Sequence, residues 1–350
     1  MRFLKGCKLG ALPNPTGKRV SIIGAGPAGL GAAGVLICKG HEVVIYDQLP
    51  EAGGLLIFGI PDFRIPKKRI RDGIKEMKDA GVKIILNKKV GRDVDLESII
   101  DESDSVLIAT GTWRSRELKV PGCELDGIHT AFDYIVNYHL YKYGYINTPP
   151  EYGKKALVIG GGLTAVDMCY IAKEVGCEEI YLSYRRTRQY APAGKNEFNQ
   201  LEKEGVKILE LTQPTKFIGH SRVEKVVLIR NKLVETGEGR PKPQPILGSD
   251  IELEVDIVFQ AIGEIPTPPF ENGKYGIHVN SDGTIYTDEH YRTTRKGVFA
   301  AGDVKTGPSL IGPALASGKK AGEEIHNYLL TDEWPDHLLK IGREYDRVSR

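Results

Sequence analysis

"VSIIGAGPAGLGAAGVLICKGHEVVIYD", Val20 to Asp47, decides the fold. It opens on an apolar run, turns through Gly24, Gly26 and Gly29, and continues into a stretch of small residues that stops at Gly40. The pattern predicts a strand over 19–23, a turn over 24–29, a helix over 30–39 and a second strand over 42–46. That is a βαβ unit, and its apolar strands point to a parallel sheet covered on both faces. Each glycine has a separate task. Gly24 permits the sharp turn, Gly26 lacks a Cβ and lets a pyrophosphate reach the backbone, and Gly29 lets helix and strand pack closely. The helix N-terminus then offers free N–H groups and the positive end of its dipole to phosphate. Asp47 ends the second strand, where a carboxylate can accept hydrogen bonds from a ribose hydroxyl pair.

The chain says something similar a second time. "ALVIGGGLTAVDMCYIAKEVGCEEIYLSYRR", Ala156 to Arg186, carries Gly160, Gly162 and Ala165, the G-x-G-x-x-A variant. Its second strand ends in no acid. Arg185, Arg186 and Arg188 stand there instead. A carboxylate would repel a ribose 2′-phosphate, whereas guanidinium groups bind it bidentately. The two copies are therefore expected to take different dinucleotides, one with a plain adenosine ribose and one with a phosphorylated ribose. The competing expectation is a solvated cluster of loop arginines.

Composition sets the frame. The 350 residues suffice for roughly two domains. Apolar residues at 41% and charged residues at 27% describe a soluble globular chain. The net charge of +2 gives no reason to expect nucleic acid or a membrane surface as partner. No apolar run approaches the roughly 18 residues a membrane span needs, and the N-terminus lacks the apolar region of a signal peptide. The expected location is the cytoplasm. The five cysteines, Cys7, Cys38, Cys123, Cys169 and Cys177, form no C-x-x-C pair and no iron–sulfur or zinc spacing. They are expected to be small buried thiols in a reducing compartment. The eight histidines are scattered without metal spacing, so no metal site is expected.

Between and after the glycine turns, residues 50–70 read as a long loop, "PEAGGLLIFGIPDFRIPKKRI", of a length that is usually functional. A basic-faced helix is expected over 69–80, strands over 82–86 and 105–109, and a helix over 132–140. Residues 143–155 read as a linker. Beyond the second βαβ unit, a helix is expected over 196–204 and strands over 206–210, 223–230 and 255–261, with a proline-rich loop over 236–250. A hairpin near 281–283 leads to a strand over 298–301 and a long helix over 313–330. The tail after Asp332 reads as polar and loosely held.

Two nucleotide sites in one chain suggest a resident cofactor and a visiting one. FAD and NAD(P)H are the natural pair, because hydride passes directly from nicotinamide to flavin and needs no acid or base from the protein. No catalytic side chain is therefore expected. "GVFAAGDVKTGPSLIGPALASGKKAGEEI", Gly297 to Ile325, ends a buried strand at Gly302–Asp303 and starts a helix near Pro313. The N-terminus of that helix is expected to favour the negative charge of a reduced flavin.

These stretches resemble the two-dinucleotide-binding-domain flavoproteins, and most closely the small (β) subunit of glutamate synthase. "GAGPAGL", "PEAGGLLIFGIPDFRIPK", "ATGT", "GGGLTAVD", "YRRTR", "AIG" and "GVFAAGDVKTGPS" carry the resemblance, from residue 20 to about 325. The resemblance implies an α/β fold of two Rossmann-like domains, with an NAD(P)-binding domain (115–280) inserted in an FAD-binding domain (1–114 and 281–350). It implies FAD contacts in the first turn at Gly24, Gly26, Pro27, Ala28, Gly29 and Asp47. Further contacts are implied at Gly53, Gly54, Leu55 and Arg64 of the following loop, at Val90, Thr110 and Gly111, and at Gly302 and Asp303. NADPH, in preference to NADH, is implied at Gly162, Leu163, Thr164, Arg185 and Arg186, and at Ala261, Ile262 and Gly263.

Three departures from the family pattern stand out. Only about 17 residues precede the first strand, without the cysteines of an N-terminal iron–sulfur domain, so the chain is not expected to hold such clusters itself. Leu163 stands where the family carries an Asn, and Leu cannot cap a helix. "QYAPAGKNE" follows the arginines where acidic residues are usual, which makes the expected phosphate pocket more positive. The expected function is an NAD(P)H-linked FAD oxidoreductase that exchanges electrons with a partner protein or iron–sulfur acceptor. The alternatives are a non-catalytic flavin-bound scaffold subunit of an electron-transfer complex and a ferredoxin–NADP-type reductase. A disulfide reductase of the thioredoxin-reductase kind would need a C-x-x-C pair, which is missing.

Overall fold

The computed structural model describes residues 2–237 and 239–348. The chain divides into two compact units. One comprises the chain up to Arg114 together with the chain from Glu264 onward; the other is Ser115–Gly263. The return at Glu264 comes earlier than the expected boundary at 281. Residues after Glu264 belong to the first unit because Phe270, Tyr275 and Ile277 pack with its Val90, Leu96 and Ile99, and a Cβ on Gly91 would fall 2.3 Å from the Pro269 carbonyl oxygen.

The first unit is built on a five-stranded parallel sheet. Its strands run Val298–Ala300, Ser105–Ile108, Arg19–Ile23, Glu42–Tyr46 and Lys83–Ile85 across the sheet. Arg19–Ile23 pairs with Glu42–Tyr46 on one side and with Ser105–Ile108 on the other. Chain order reverses there, which makes the carboxyl ends of Arg19–Ile23 and Ser105–Ile108 the switch point where doubly wound sheets hold ligands. The central strands are mainly apolar (Val20, Ile22, Val43, Ile45 and Leu107 are fully buried), as a sheet covered on both faces requires, while the edge strand Lys83–Ile85 is largely exposed.

Helix Pro27–Ile37 is buried from Ala28 to its end. Its small residues admit a close neighbour, helix Ile311–Thr331. A Cβ on Gly318 would fall 1.9 Å from the Ala28 carbonyl oxygen. The turn is shorter than expected: the helix begins at Pro27, not 30, because proline with its fixed φ can occupy the first helical position. The loop over 50–70 contains a helical turn, Leu55–Phe58, and the basic helix begins at Lys67. Between Asp332 and Val348 the tail is not loose. Helix Asp336–Val348 docks with Leu338 fully buried. A Cβ on Gly342 would fall 2.5 Å from the Thr294 carbonyl oxygen.

The second unit repeats the plan. Its parallel sheet runs Ile128–Thr130, Ile257–Ala261, Lys155–Gly160, Glu179–Tyr184 and Lys207–Glu210, again with a reversal beside the first glycine strand. Helices Ala131–Lys142, Leu163–Glu174 and Lys195–Lys203 cover it. A separate antiparallel sheet forms around the 12-residue strand Val223–Val234, which pairs with Thr212–Gly219, Lys242–Pro245 and Ile251–Glu254. The sequence pattern marks the first eight residues of that long strand and misses three partners, two of which, Thr212–Gly219 and Lys242–Pro245, carry prolines inside their pairing register.

Cys7 and Cys38 form a disulfide, which overturns the expectation that all the cysteines are thiols. Cys169 and Cys177 are buried free thiols, and Cys123 is half-buried. Packing brings the partners together: Phe3 of the lead-in is fully buried, and Lys5 donates its N–H to the Gly34 carbonyl at 3.2 Å. The segment is thereby laid along the helix that ends at Cys38. No helix among the described residues is long and apolar enough to cross a membrane, and no cluster among them could hold a metal ion.

Candidate functional site

Gly24 and Gly29 make the close approaches that their spacing implies. Gly24 has φ +111, and a Cβ there would fall 2.4 Å from the Ala109 carbonyl oxygen. Gly24 donates to the Tyr46 carbonyl at 2.8 Å, and Ala109 donates to the Ile23 carbonyl at 2.8 Å, so the ends of three strands are tied at one point. A Cβ on Gly29 would fall 1.9 Å from the Gly24 carbonyl oxygen. Gly26 differs. It is the N-cap, in extended backbone with φ −77, and no side chain caps the helix. A Cβ there would meet nothing within 4 Å. The protein has no packing use for the missing Cβ of Gly26. The open space lies at a helix start with Pro27 in its first turn, and free N–H groups at such a start suit an anion.

Asp47 is 7% exposed. One carboxylate oxygen accepts the Ala25 N–H at 2.6 Å and the other accepts the Leu49 N–H at 2.8 Å. Burial raises its pKa, and the two backbone donors oppose that rise. A carboxylate has about four acceptor positions, so each oxygen keeps one for a ligand. Asp47, Val90 and Thr110 line a cleft of about 330 Å³. Gln48, Lys88, Lys89, Trp113 and Thr267 line it too, and the sequence reading did not single them out. Thr110 is partly committed, since its hydroxyl donates to the Thr267 carbonyl at 2.7 Å. The Gly111 carbonyl accepts the Thr267 N–H at 3.0 Å.

The loop after Asp47 closes onto the turn. Gly53 donates to the Ala25 carbonyl at 2.9 Å. Gly54 has φ +54, and a Cβ there would fall 2.9 Å from the Gly26 Cα. Leu55 then starts the short helix. Arg64 stacks over the exposed Phe63 ring at 5.5 Å. Lys67 holds this loop: it is 5% exposed, and its ammonium donates to the carbonyls of Leu56 at 2.7 Å and Ile60 at 2.5 Å. A signal for it exists in the sequence. Lys67, Ile70, Ile74 and Met77 share the buried face of helix Lys67–Asp79, so helical spacing alone puts a lysine on an apolar face.

Gly302 and Asp303 come to the same place. Gly302 has φ +72 and a Cβ there would fall 2.7 Å from that of Ala28; its N–H donates to the Ser317 hydroxyl at 3.0 Å. Asp303 begins a short helical turn and accepts the Ser309 hydroxyl at 2.6 Å. Burial raises its pKa.

In the second unit, Gly160 has φ +149 and a Cβ there would fall 2.2 Å from the Ala261 carbonyl oxygen. A Cβ on Gly161 would fall 2.3 Å from the Tyr184 ring. A Cβ on Gly162 would meet nothing within 4 Å. The open glycine is again the N-cap. Leu163 is the first helical residue and Thr164 the second, so the capping position is Gly162, and no cap is lost through the leucine. Ala261 pairs with Gly160 across the sheet. Ile262 packs in the apolar cluster of that face, and Gly263 has φ +112 and accepts the Arg116 N–H at 2.8 Å. The three arginines divide. Arg188 pairs with Glu202 and Glu210 at 2.6 Å each, which raises its pKa. Arg185 and Arg186 have no carboxylate partner among the described residues. Arg185 is exposed and Arg186 half-buried, while Arg188 serves the unit's own structure.

The profile described as pyridine nucleotide-disulphide oxidoreductase matches residues 18–318. The chain is 36% identical to the glutamate synthase [NADPH] small chain of Halomonas elongata over 90% of this chain and 68% of that one. It is 37% identical to the corresponding chain of Azospirillum brasilense over 89% and 67%. Among solved structures, Mycobacterium tuberculosis FprA in complex with NADPH superposes with a TM-score of 0.76 at 21% identity, covering 96% of this chain and 91% of that one. At that identity the likeness speaks for the fold.

Proposed function

The chain belongs to the pyridine nucleotide-disulphide oxidoreductase family, and from that premise we propose how its two units divide the work of an NADPH-dependent flavoprotein oxidoreductase similar to the glutamate synthase small subunit. FAD belongs to the first unit and NADPH to the second. The observation that carries this is the pair of open N-cap glycines, Gly26 and Gly162, followed by strands that end differently, in buried Asp47 and in Arg185 and Arg186, which have no carboxylate partner among the described residues.

The residues fit FAD. The open Cβ position of Gly26 suits a pyrophosphate, with Pro27, Ala28 and Gly29 supplying the helix start, and Gly53, Gly54 and Leu55 covering it from the other side. Asp47 keeps acceptor positions for ribose hydroxyls, and the cleft beside Val90 and Thr110 has room for the adenosine end. Arg64, Gly111, Gly302 and Asp303 complete the set we assign to it. When bound, FAD supplies a centre that takes two electrons from a reduced nicotinamide and passes electrons on to an acceptor. The chain's own part is to bind, orient and exclude water. In the second unit, Gly162, Leu163 and Thr164 offer the helix start to the NADPH pyrophosphate. Arg185 and Arg186 take its 2′-phosphate, and Ala261, Ile262 and Gly263 line the adjoining strand end.

The subunit character of the glutamate synthase relatives supports a protein partner that exchanges electrons with this chain, such as an iron–sulfur protein or a larger subunit. The NADPH it would use supports a cytoplasmic setting, although the Cys7–Cys38 disulfide is unusual there. That disulfide is no flavin-side redox pair. Cys38 caps the far end of the 11-residue helix that Gly26 opens, about 18 Å away by helical rise.

Anaerobic addition of NADPH or NADH to the flavin-loaded protein tests the reading. NADPH should bleach the flavin band faster than NADH. Substituting Arg185 and Arg186 together by alanine should remove most of that preference, about a hundredfold at the lower end for two charge-assisted contacts. An unbleached band with both nucleotides would support the scaffold alternative, and equal rates in the unmodified protein would remove the arginine assignment.

A further inference from the structure

The long strand Val223–Val234 continues past the body of its sheet, and its last four residues pair with Lys242–Pro245 in the register Asn231↔Pro245 to Val234↔Lys242. We propose that Arg240, two residues before Lys242–Pro245, is a specificity-determining residue that contacts the NADPH 2′-phosphate together with Arg185 and Arg186. The proposal rests on the reading that the second unit takes NADPH.

Three hydrogen bonds hold Asn231, Arg240 and Pro241 against the segment that carries the arginine pair. The Nε of Arg186 donates to the Pro241 carbonyl at 2.8 Å. Asn231, 3% exposed, donates from Nδ2 to the Arg185 carbonyl at 3.3 Å. Arg240 donates from Nη1 to the Tyr190 carbonyl at 3.4 Å. Leu211 also donates to the Arg186 carbonyl at 3.1 Å, and Asn231 to the Leu211 carbonyl at 2.7 Å. The backbone beneath the pair is thereby fixed from the strand Val223–Val234. Using Nε on Pro241 orients the Arg186 guanidinium and leaves its two Nη groups, the pair that meets phosphate oxygens in fork geometry.

The charges point the same way. The nearby carboxylates of Glu202 and Glu210 are taken by Arg188. Arg185, Arg186 and Arg240 have no carboxylate partner among the described residues. Burial lowers the pKa of Arg185, and the positive charges of Arg186 and Arg240 lower it further. Three guanidinium groups close enough to repel one another are a poor arrangement for the protein alone and a good one for a dianion. Proline stiffens the return, since Pro241, Pro243 and Pro245 alternate along it and reduce the conformations that binding must restrict.

The test is calorimetric titration of the full chain with adenosine 2′,5′-bisphosphate and with 5′-AMP, a readout independent of turnover. Arg240→Ala should weaken the bisphosphate about tenfold, the loss of roughly one charge-assisted contact, and leave 5′-AMP unchanged. Arg240→Lys should recover part of the loss, and Arg240→Glu should exceed it. Because Arg240 is exposed, the variants should keep the parent melting temperature. If Arg240→Ala and Arg240→Glu both bind the bisphosphate like the parent while the Arg185/Arg186 double variant does not, the proposal is wrong and the NADPH reading survives. If the parent binds the bisphosphate no more tightly than 5′-AMP, the NADPH reading fails and takes the proposal with it.

Discussion

Asp47 accepts the backbone N–H of Ala25 at 2.6 Å. The acid expected to serve a ribose also holds the middle of the glycine turn. A ligand role and a folding role therefore meet in one side chain, with the Leu49 N–H on its second oxygen.

Replacing Asp47 by asparagine should separate stability from flavin retention only in part. The amide presents N–H where a backbone N–H already points, and an unsatisfied buried donor costs about 1–3 kcal/mol. The variant should purify with at most a tenth of the parent's bound flavin and melt several degrees lower. Unchanged flavin content, read from the visible-to-ultraviolet absorbance ratio, would show that the carboxylate is not needed for the cofactor.

Gly26 and Gly29 should answer alanine in opposite ways. A methyl group on Gly26 meets open space, whereas one on Gly29 would fall 1.9 Å from the Gly24 carbonyl oxygen. Gly26→Ala should fold with nearly the parent's stability, because its φ of −77 suits alanine, and lose flavin. Gly29→Ala should lose about 3 kcal/mol or more through overpacking. Chemical denaturation of the flavin-free forms distinguishes them. Equal destabilisation by both would mean that Gly26 has a packing role.

The Cys7–Cys38 bond closes a sequence separation of 31. Chain-entropy reasoning gives such a loop about 3–4 kcal/mol of stabilisation. Serine at both positions should lower stability by that order. Thiol titration of the unfolded, unreduced chain should count three thiols, Cys123, Cys169 and Cys177. A count of five would remove the bond from the account.

His41 is 2% exposed and sits between the Thr16 hydroxyl at 2.8 Å and the His326 ring at 2.9 Å. Burial, helped by His326 and Lys39, pushes its pKa down to about 4, while Asp104 opposes the shift. The unfolded chain takes up this proton near pH 6.5 and the folded chain near 4. Stability is therefore full above about pH 6.5 and falls as the pH drops through that window, by up to about 3 kcal/mol from this group. Urea midpoints at pH 7 and pH 4.5 should differ less for His41→Gln than for the parent. Parallel pH dependences would assign the acid sensitivity elsewhere.

Local pattern carried a large share of the molecule. The glycine spacings placed both turns, because only a residue without a Cβ fits against the Ala109 and Ala261 carbonyls, and such constraints are written residue by residue. Apolar runs marked the parallel strands, and the change from Asp47 to Arg185–Arg186 marked two strand ends of opposite charge. The periodicity that hides Lys67 on an apolar face was present too, though a lysine beside another lysine reads as a solvated pair until the loop above it is known.

What only the folded chain decided depends on contacts between residues far apart in sequence. Cys7 meets Cys38 because Phe3 and Lys5 pack along one helix. Arg188 is separated from Arg185 and Arg186 because Glu202 and Glu210 reach it first. Arg240 reaches that pair because a strand overruns its sheet and folds back on three prolines. Sequence spacing records the turns a backbone can make; which charges find partners, and which are left for a ligand, is settled by the packing that brings distant segments together.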